Sequence, residues 1–292
     1  MINTVVITAA THGNELTGLA CLKRWRLKPE ELQRASISCS TLIANKKAVS
    51  FGKRYVDGDL NRQFSQTDLQ NLELANYEAN RAKALNQLLG PKESPKTDFI
   101  IDLHTTTANM GLTLVIHNDS QFHKKLAAFI KQKMPSAIIF FEPKVRMEDN
   151  FLISIAKYSG FLIEVGPTPQ GLVRSDIFEL TRQATMHALD FIHAYNTNTL
   201  TNLPKEVKAY QFIKKIKLPC DENEELTGMI HPDLQDKDYQ PISPGTPIFL
   251  TFTGETIRWE GEEVVYGAFI NEAAYYDQLH GLSILRAIDL TL

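Results

Sequence analysis

The chain is poor in cysteine: three in 292 residues, Cys21, Cys39 and Cys220, odd in number and widely scattered. That argues against a disulfide framework and against a cysteine-built structural zinc site, and it suits a reducing compartment. Charge of one sign is not in excess either. Lys and Arg total 31 against 34 Asp and Glu, a net charge of −3, which gives neither a nucleic acid nor a membrane surface an electrostatic reason to bind. Long hydrophobic runs are missing, and stretches such as "AIIFF" at 137–141 are far too short to span a bilayer. Met1 leads almost directly into an apolar segment, leaving no room for a secretory signal. There is no internal repeat and no low-complexity tract. What remains, 43% hydrophobic and 22% charged, is an ordinary globular composition, expected in the cytoplasm.

Strand and helix signals alternate as far as residue 195. Apolar and β-branched runs predict strands at 3–9, 37–44, 98–104, 112–117, 136–141 and 160–166. Helical spacing predicts helices at 15–25, at 68–89 (stopped by Gly90-Pro91) and at 176–195, the last with Ser175 as its N-cap. This is the pattern of an α/β domain around a mostly parallel or mixed sheet. The polar "NTNTLTNLP" at 196–204 reads as a linker. Beyond it, short runs at 246–252, 264–270 and 282–292, punctuated by glycine, predict a smaller β-rich domain. The expected division is therefore 1–203 and 204–292.

Chemistry concentrates where strands end, the edge at which α/β sheets place their sites. In "THGNELTG", His12 and Glu15 follow the first strand. Alone the pair has two readings, half a metal site or a helix start whose glutamate complements the helix dipole. His104, ending the strand of "IDLHTTT", supplies a second imidazole at an equivalent position. Two imidazoles, a carboxylate and an open fourth position make the ligand set of a catalytic zinc site. Glu164 in "FLIEVGPTP" follows three apolar residues, where an ionised carboxylate is costly unless it is used. It is either salt-bridged at a strand end or a general base that deprotonates attacking water and then protonates a leaving amine. "KRYVDGDLNRQF" gathers Arg54, Asn61 and Arg62 in a turn-rich segment, suited to a carboxylate ligand or an oxyanion, or else a solvated loop with local ion pairs. The other six histidines, at 117, 123, 187, 193, 231 and 280, read as packing or surface residues.

"THGNELTG", "RYVDGDLNR", "DLHTTTANMG", "SIAKY", "EVGPTPQG", "HPDLQD" and "NEAAYY" occur in that order from residue 11 to about 276, nearly the whole chain. The ordered set resembles the aspartoacylase and succinylglutamate desuccinylase family of zinc amidohydrolases. The resemblance implies a zinc-carboxypeptidase-like mixed-sheet catalytic domain with a β-rich C-terminal domain over the substrate entrance. It implies one Zn2+ per chain held by His12, Glu15 and His104, and Glu164 as base and then acid. Arg54 would polarise the scissile carbonyl, and Asn61 and Arg62 would grip the amino acid's carboxylate. Tyr275 would reach the same substrate, with Asp102 and Asp59 orienting ligands or arginines. The implied substrate is a small N-acyl amino acid, most simply N-acetyl-L-aspartate. The alternatives are other N-acyl amino acids, uncharged or aromatic, then a zinc carboxypeptidase or a non-catalytic amino-acid-binding module. Self-association into a homo-oligomer is left open. One departure bears on side-chain choice. The aspartoacylase pattern has an arginine just before "SIAKY" that takes the aspartate side chain, and here that position is Ile153, with Asp149 where a tyrosine is expected. Lys144 and Arg146 lie upstream, and Arg146 is the expected replacement.

Overall fold

The computed structural model describes all 292 residues. Strands β1 (Thr4–Ala9), β2 (Ser38–Ile43), β3 (Phe99–Thr105), β4 (Gly111–Ile116), β5 (Ile138–Phe141) and β6 (Gly160–Gly166) alternate with helices α1 (Leu16–Leu27), α2 (Lys46–Phe51), α3 (Gln66–Gln70), α4 (Tyr77–Leu89), α5 (Gln121–Lys133) and α6 (Ser175–Asn196). Seven strands follow: β7 (Glu206–Lys217), β8 (Gly228–Ile230), β9 (Pro241–Ile242), β10 (Pro247–Thr251), β11 (Thr256–Arg258), β12 (Val265–Ala268) and β13 (His280–Thr291). No helix is long and apolar enough to cross a membrane.

Ten strands form one mixed sheet in the order β2-β1-β3-β6-β4-β5-β7-β13-β12-β9. β1, β2, β3 and β6 run parallel, and β4 lies antiparallel to β6. The sheet does not stop at the polar 196–204 stretch. β7 pairs with β5 in parallel, and β13 returns along β7 from Lys217 to Glu206. A second sheet, β11-β10-β8, shares a core with the last strands of the first, Ile230 and Phe249 packing in one cluster with Val265, Leu282 and Ile284.

Two of the expected helices differ in the structure. The single helix expected at 68–89 is two, because the Asn76 side chain accepts the Ala79 N–H and restarts the chain as α4, leaving Leu72 exposed. Ser175 lies inside α6 rather than capping it, and the cap residue Arg174 makes no side-chain cap bond.

Alternation along the strands decides where chemistry can sit. Val5, Ile7, Ile101, Leu103 and Ile163 pack with Leu22, Trp25, Leu126 and Phe191 of α1, α5 and α6 in one core. Val6, Ile100 and Leu162 belong to the other face, under Leu60, Phe64, Leu85 and Ile153. By the same alternation Asp102, His104 and Glu164 emerge on that second face. His104 and Glu164 are register partners across β3 and β6.

Candidate active site

The β1–α1 loop is the first component. Ala10 takes a left-handed φ of 55°, turning the chain sharply off the strand. Gly13 is needed for close approach: a Cβ there would come within 2.2 Å of the Ala48 carbonyl carbon in α2. Its N–H donates to the Arg54 carbonyl at 3.0 Å, which fixes the loop against the arginine-bearing turn. Glu15 is the N-cap of α1 but makes no side-chain cap bond. Its carboxylate turns inward instead, with Oε1 2.6 Å from His12 Nδ1 and Oε2 3.0 Å from His104 Nδ1. Glu15 thus stands at the helix start, but its side chain does not cap the helix.

The three residues are buried, and one ligand atom from each lies within 4.8 Å of the others. The outward ring nitrogens are held as well. His12 Nε2 is 3.0 Å from Asp59 Oδ1, and His104 Nε2 is 2.8 Å from Asp102 Oδ2. Asp102 in turn accepts the hydroxyls of Thr8 at 2.6 Å and Thr11 at 2.9 Å. Imidazoles whose second nitrogen is anchored by carboxylate present the first as a ligand of fixed tautomer. Two imidazole nitrogens and one carboxylate facing one another match the ligand set of a divalent cation of zinc type. Burial opposes ionisation of Glu15, but His12 and His104 outweigh it and hold the carboxyl far below its usual range.

The second component is the turn carrying Arg54, Asn61 and Arg62. Buried Glu78 of α4 shapes it by accepting the N–H groups of Val56 and Asp57 at 2.7 and 2.9 Å. Arg54 donates to Glu15 at 3.1 Å and Asp59 at 3.2 Å, so its guanidinium stands beside the candidate ligands. Asn61 is buried and accepts the Leu152 N–H at 2.8 Å. Arg62 has no carboxylate partner; it donates to the Asn61 carbonyl and lies 4.5 Å over the Phe151 ring.

Glu164 is the one residue of β6 that is not fully buried, and its carboxylate makes no hydrogen bond and no salt bridge to another side chain. Burial pushes its carboxyl upward, Glu15 and Glu272 push the same way, and His104 and Arg54 oppose. A partnerless carboxyl poised to take a proton is what a general base requires. Tyr275, on the short helical turn Ala273–Gln278, stacks on His280 at 5.0 Å and faces the pocket that holds Arg54, Arg62, His104 and Glu164.

A second hollow opens from the first and shares Arg62, Phe151, Leu162, Glu164, Phe269 and Tyr275 with it. Its wall is completed by Val115, Phe140 and Phe212, with Lys215, Lys144, Glu142, His117 and His280 around them. Ile153 is not part of it, being fully buried in the core. Nor is Arg146, contrary to expectation. Its guanidinium is spent on the carbonyls of Lys92, Ser154 and Ala156 and braces the loop from behind.

Sequence reasoning passed over four residues here. Lys215 sits on β7, whose alternation was hidden among five lysines from 205 to 217. His117 and His280 carry no local motif. Glu272 lay unremarked inside "NEAAYY". It is buried and accepts the N–H groups of Thr107 and Ala108 at 2.8 and 3.1 Å, tying the β3–β4 loop to the turn that bears Tyr275.

Residues 1–192 match the profile of the succinylglutamate desuccinylase/aspartoacylase catalytic domain, and residues 205–287 match that of the AstE/AspA barrel-sandwich hybrid domain. A protein of Trichodesmium erythraeum named as a probable aspartoacylase is 44% identical over 95% of this chain and 94% of its own. The Homo sapiens N-acyl-aromatic-L-amino acid amidohydrolase (carboxylate-forming) is 43% identical over 94% of this chain and 87% of its own. The crystal structure of murine aminoacylase 3 superposes with a TM-score of 0.91 at 37% identity, covering 99% of this chain and 97% of that one.

Proposed function

The chain belongs to the succinylglutamate desuccinylase/aspartoacylase family, and from that premise we propose that it is a zinc-dependent amidohydrolase cleaving N-acyl-L-amino acids to a carboxylic acid and a free amino acid. The observation that carries the reading is the convergence of His12, Glu15 and His104 beside an unpartnered Glu164 on the neighbouring strand.

His12, Glu15 and His104 would hold the metal, which would polarise the acyl carbonyl and make water acidic enough to attack near neutral pH. Glu164 takes a proton from water as its oxygen bonds to the acyl carbon. The same carboxyl then delivers that proton to the amine nitrogen as the carbon–nitrogen bond breaks. Arg54 is placed to stabilise the oxygen on which negative charge develops. Arg62, with no carboxylate of its own, and Asn61 suit the amino acid's α-carboxylate, and Tyr275 closes over it. An interaction present throughout the reaction and one made only in the transition state have different kinetic signatures. Arg62→Ala is therefore expected chiefly to raise KM and Arg54→Ala chiefly to lower kcat; matching effects from both would mean the roles are assigned wrongly.

For the amino-acid side chain, the hollow lined by Phe140, Phe151, Phe212 and Phe269, with Arg146 directed elsewhere, favours an apolar or aromatic group. The competing reading, N-acetyl-L-aspartate, draws on Lys215, a cation that lines the same hollow beside the Tyr275 ring. A panel of N-acetyl amino acids, assayed by acetate release from the zinc-loaded protein, separates them. A higher kcat/KM for N-acetyl-L-phenylalanine than for N-acetyl-L-aspartate supports the aromatic reading, and the reverse order overturns it.

A further inference from the structure

Lys92, three residues past the end of α4, is fully buried. Its ammonium donates to the Phe64 carbonyl at 2.7 Å, the Asp149 carbonyl at 2.7 Å and the Ser154 hydroxyl at 2.9 Å. All three of its N–H groups are thus used, and none of the acceptors is a carboxylate. Burial lowers the ammonium's pKa to about 8, with the Asp149 charge opposing. A cation taken out of water in this way is costly, and here neutral oxygens from two separate segments offset the cost. The backbone of Lys92 is fixed as well. Its N–H donates to Asn86 Oδ1 at 2.8 Å, and its carbonyl accepts from Arg146 at 2.9 Å. Lys92 lines neither hollow of the active site.

The two segments it joins carry the groups suited to the substrate's α-carboxylate. Phe64 follows Arg62 by two residues, and Asp149 precedes Phe151 by two. The Arg62 guanidinium lies 4.5 Å over the Phe151 ring, and its one side-chain hydrogen bond goes to the Asn61 carbonyl at 2.8 Å. Its aim therefore follows wherever the turn and the Phe151 ring are held. Across the same seam the Leu152 N–H donates to Asn61 at 2.8 Å and the Phe64 N–H to the Asn150 carbonyl at 3.2 Å. Resting on the deacylase reading above, we propose that Lys92 is a positioning residue: by gathering Phe64, Asp149 and Ser154 on one ammonium, it sets the turn of Asn61 and Arg62 against the loop of Phe151 and so aims Arg62 at the substrate's α-carboxylate. A methionine in its place keeps much of the packing volume but leaves three buried oxygens short of a donor and the seam free to shift.

The test measures kcat and KM separately for Lys92→Met, Arg62→Ala and the double variant, each zinc-loaded, on the N-acetyl amino acid that the wild type cleaves best. Lys92→Met is expected to raise KM about tenfold while kcat per bound zinc stays within about threefold. Once Arg62 is alanine, the same change should lower kcat/KM no further. A merely structural lysine would reduce the folded fraction, which lowers kcat and leaves KM alone. Ser154→Ala removes one of the three acceptors and keeps the lysine, so it carries the test if Lys92→Met does not fold. It should raise KM about two- to threefold, again only while Arg62 is present. An unchanged KM in the variants that fold, or a loss of kcat/KM by the same factor with and without Arg62, overturns the role of Lys92 and leaves the deacylase reading intact. A zinc-loaded wild type that cleaves no N-acetyl amino acid overturns both.

Discussion

Glu164→Gln is expected to lower kcat by about a hundredfold or more while the protein keeps its metal, the loss associated with removing a general base. The same variant should be at least as heat-stable as the parent. The parent carboxylate sits beside Glu15 and Glu272 with no hydrogen bond to lose, and burial already disfavours its charge. Glutamine keeps the shape and removes that unfavourable charge. Activity and stability should therefore move in opposite directions, measured as acetate release and thermal midpoint on one preparation. Near-normal turnover with metal bound would make Glu164 a bystander.

His104→Ala should be as severe and of opposite character. It removes one ligand and also the group between two carboxylates, Glu15 and Asp102, at 3.0 and 2.8 Å. Zinc content should fall from about one per chain to near zero, with loss of turnover. Removing the imidazole from between two buried carboxylates should lower stability, though Thr8, Thr11, His12 and Arg54 still bond them, a loss read by denaturant unfolding. Stoichiometric zinc in that variant would contradict the ligand assignment.

The six strands of the α/β portion could be read from the sequence because each is a dense apolar run bounded by turn residues, and His12, His104 and Glu164 stand at or just beyond three of their ends. The roles of those residues needed the ordered family motifs, since a histidine and a glutamate three apart also describe a helix start. Less was legible where side chains from distant segments meet. β7 is a strand by pairing with β5 and β13, and its own residues are too lysine-rich to announce it. The continuity of the ten-stranded sheet across 196–204 depends on that pairing. The expectation for Arg146 failed for a related reason. A sequence shows that a cation is nearby, not that three backbone carbonyls have already claimed it. His117 was expected to be a packing or surface residue, and it is buried against Phe151 with Nδ1 on Asp149.

The central claim is that a metal held by His12, Glu15 and His104 serves the cleavage of an N-acyl amino acid beside Glu164. The most direct measurement is a zinc titration of chelator-stripped protein, following carboxylate release from N-acetyl-L-tyrosine and N-acetyl-L-aspartate. The account predicts no turnover by the stripped protein and a rise in rate that saturates at about one zinc per chain. Full turnover without metal, or a zinc-saturated protein that releases acetate from neither substrate, would contradict it.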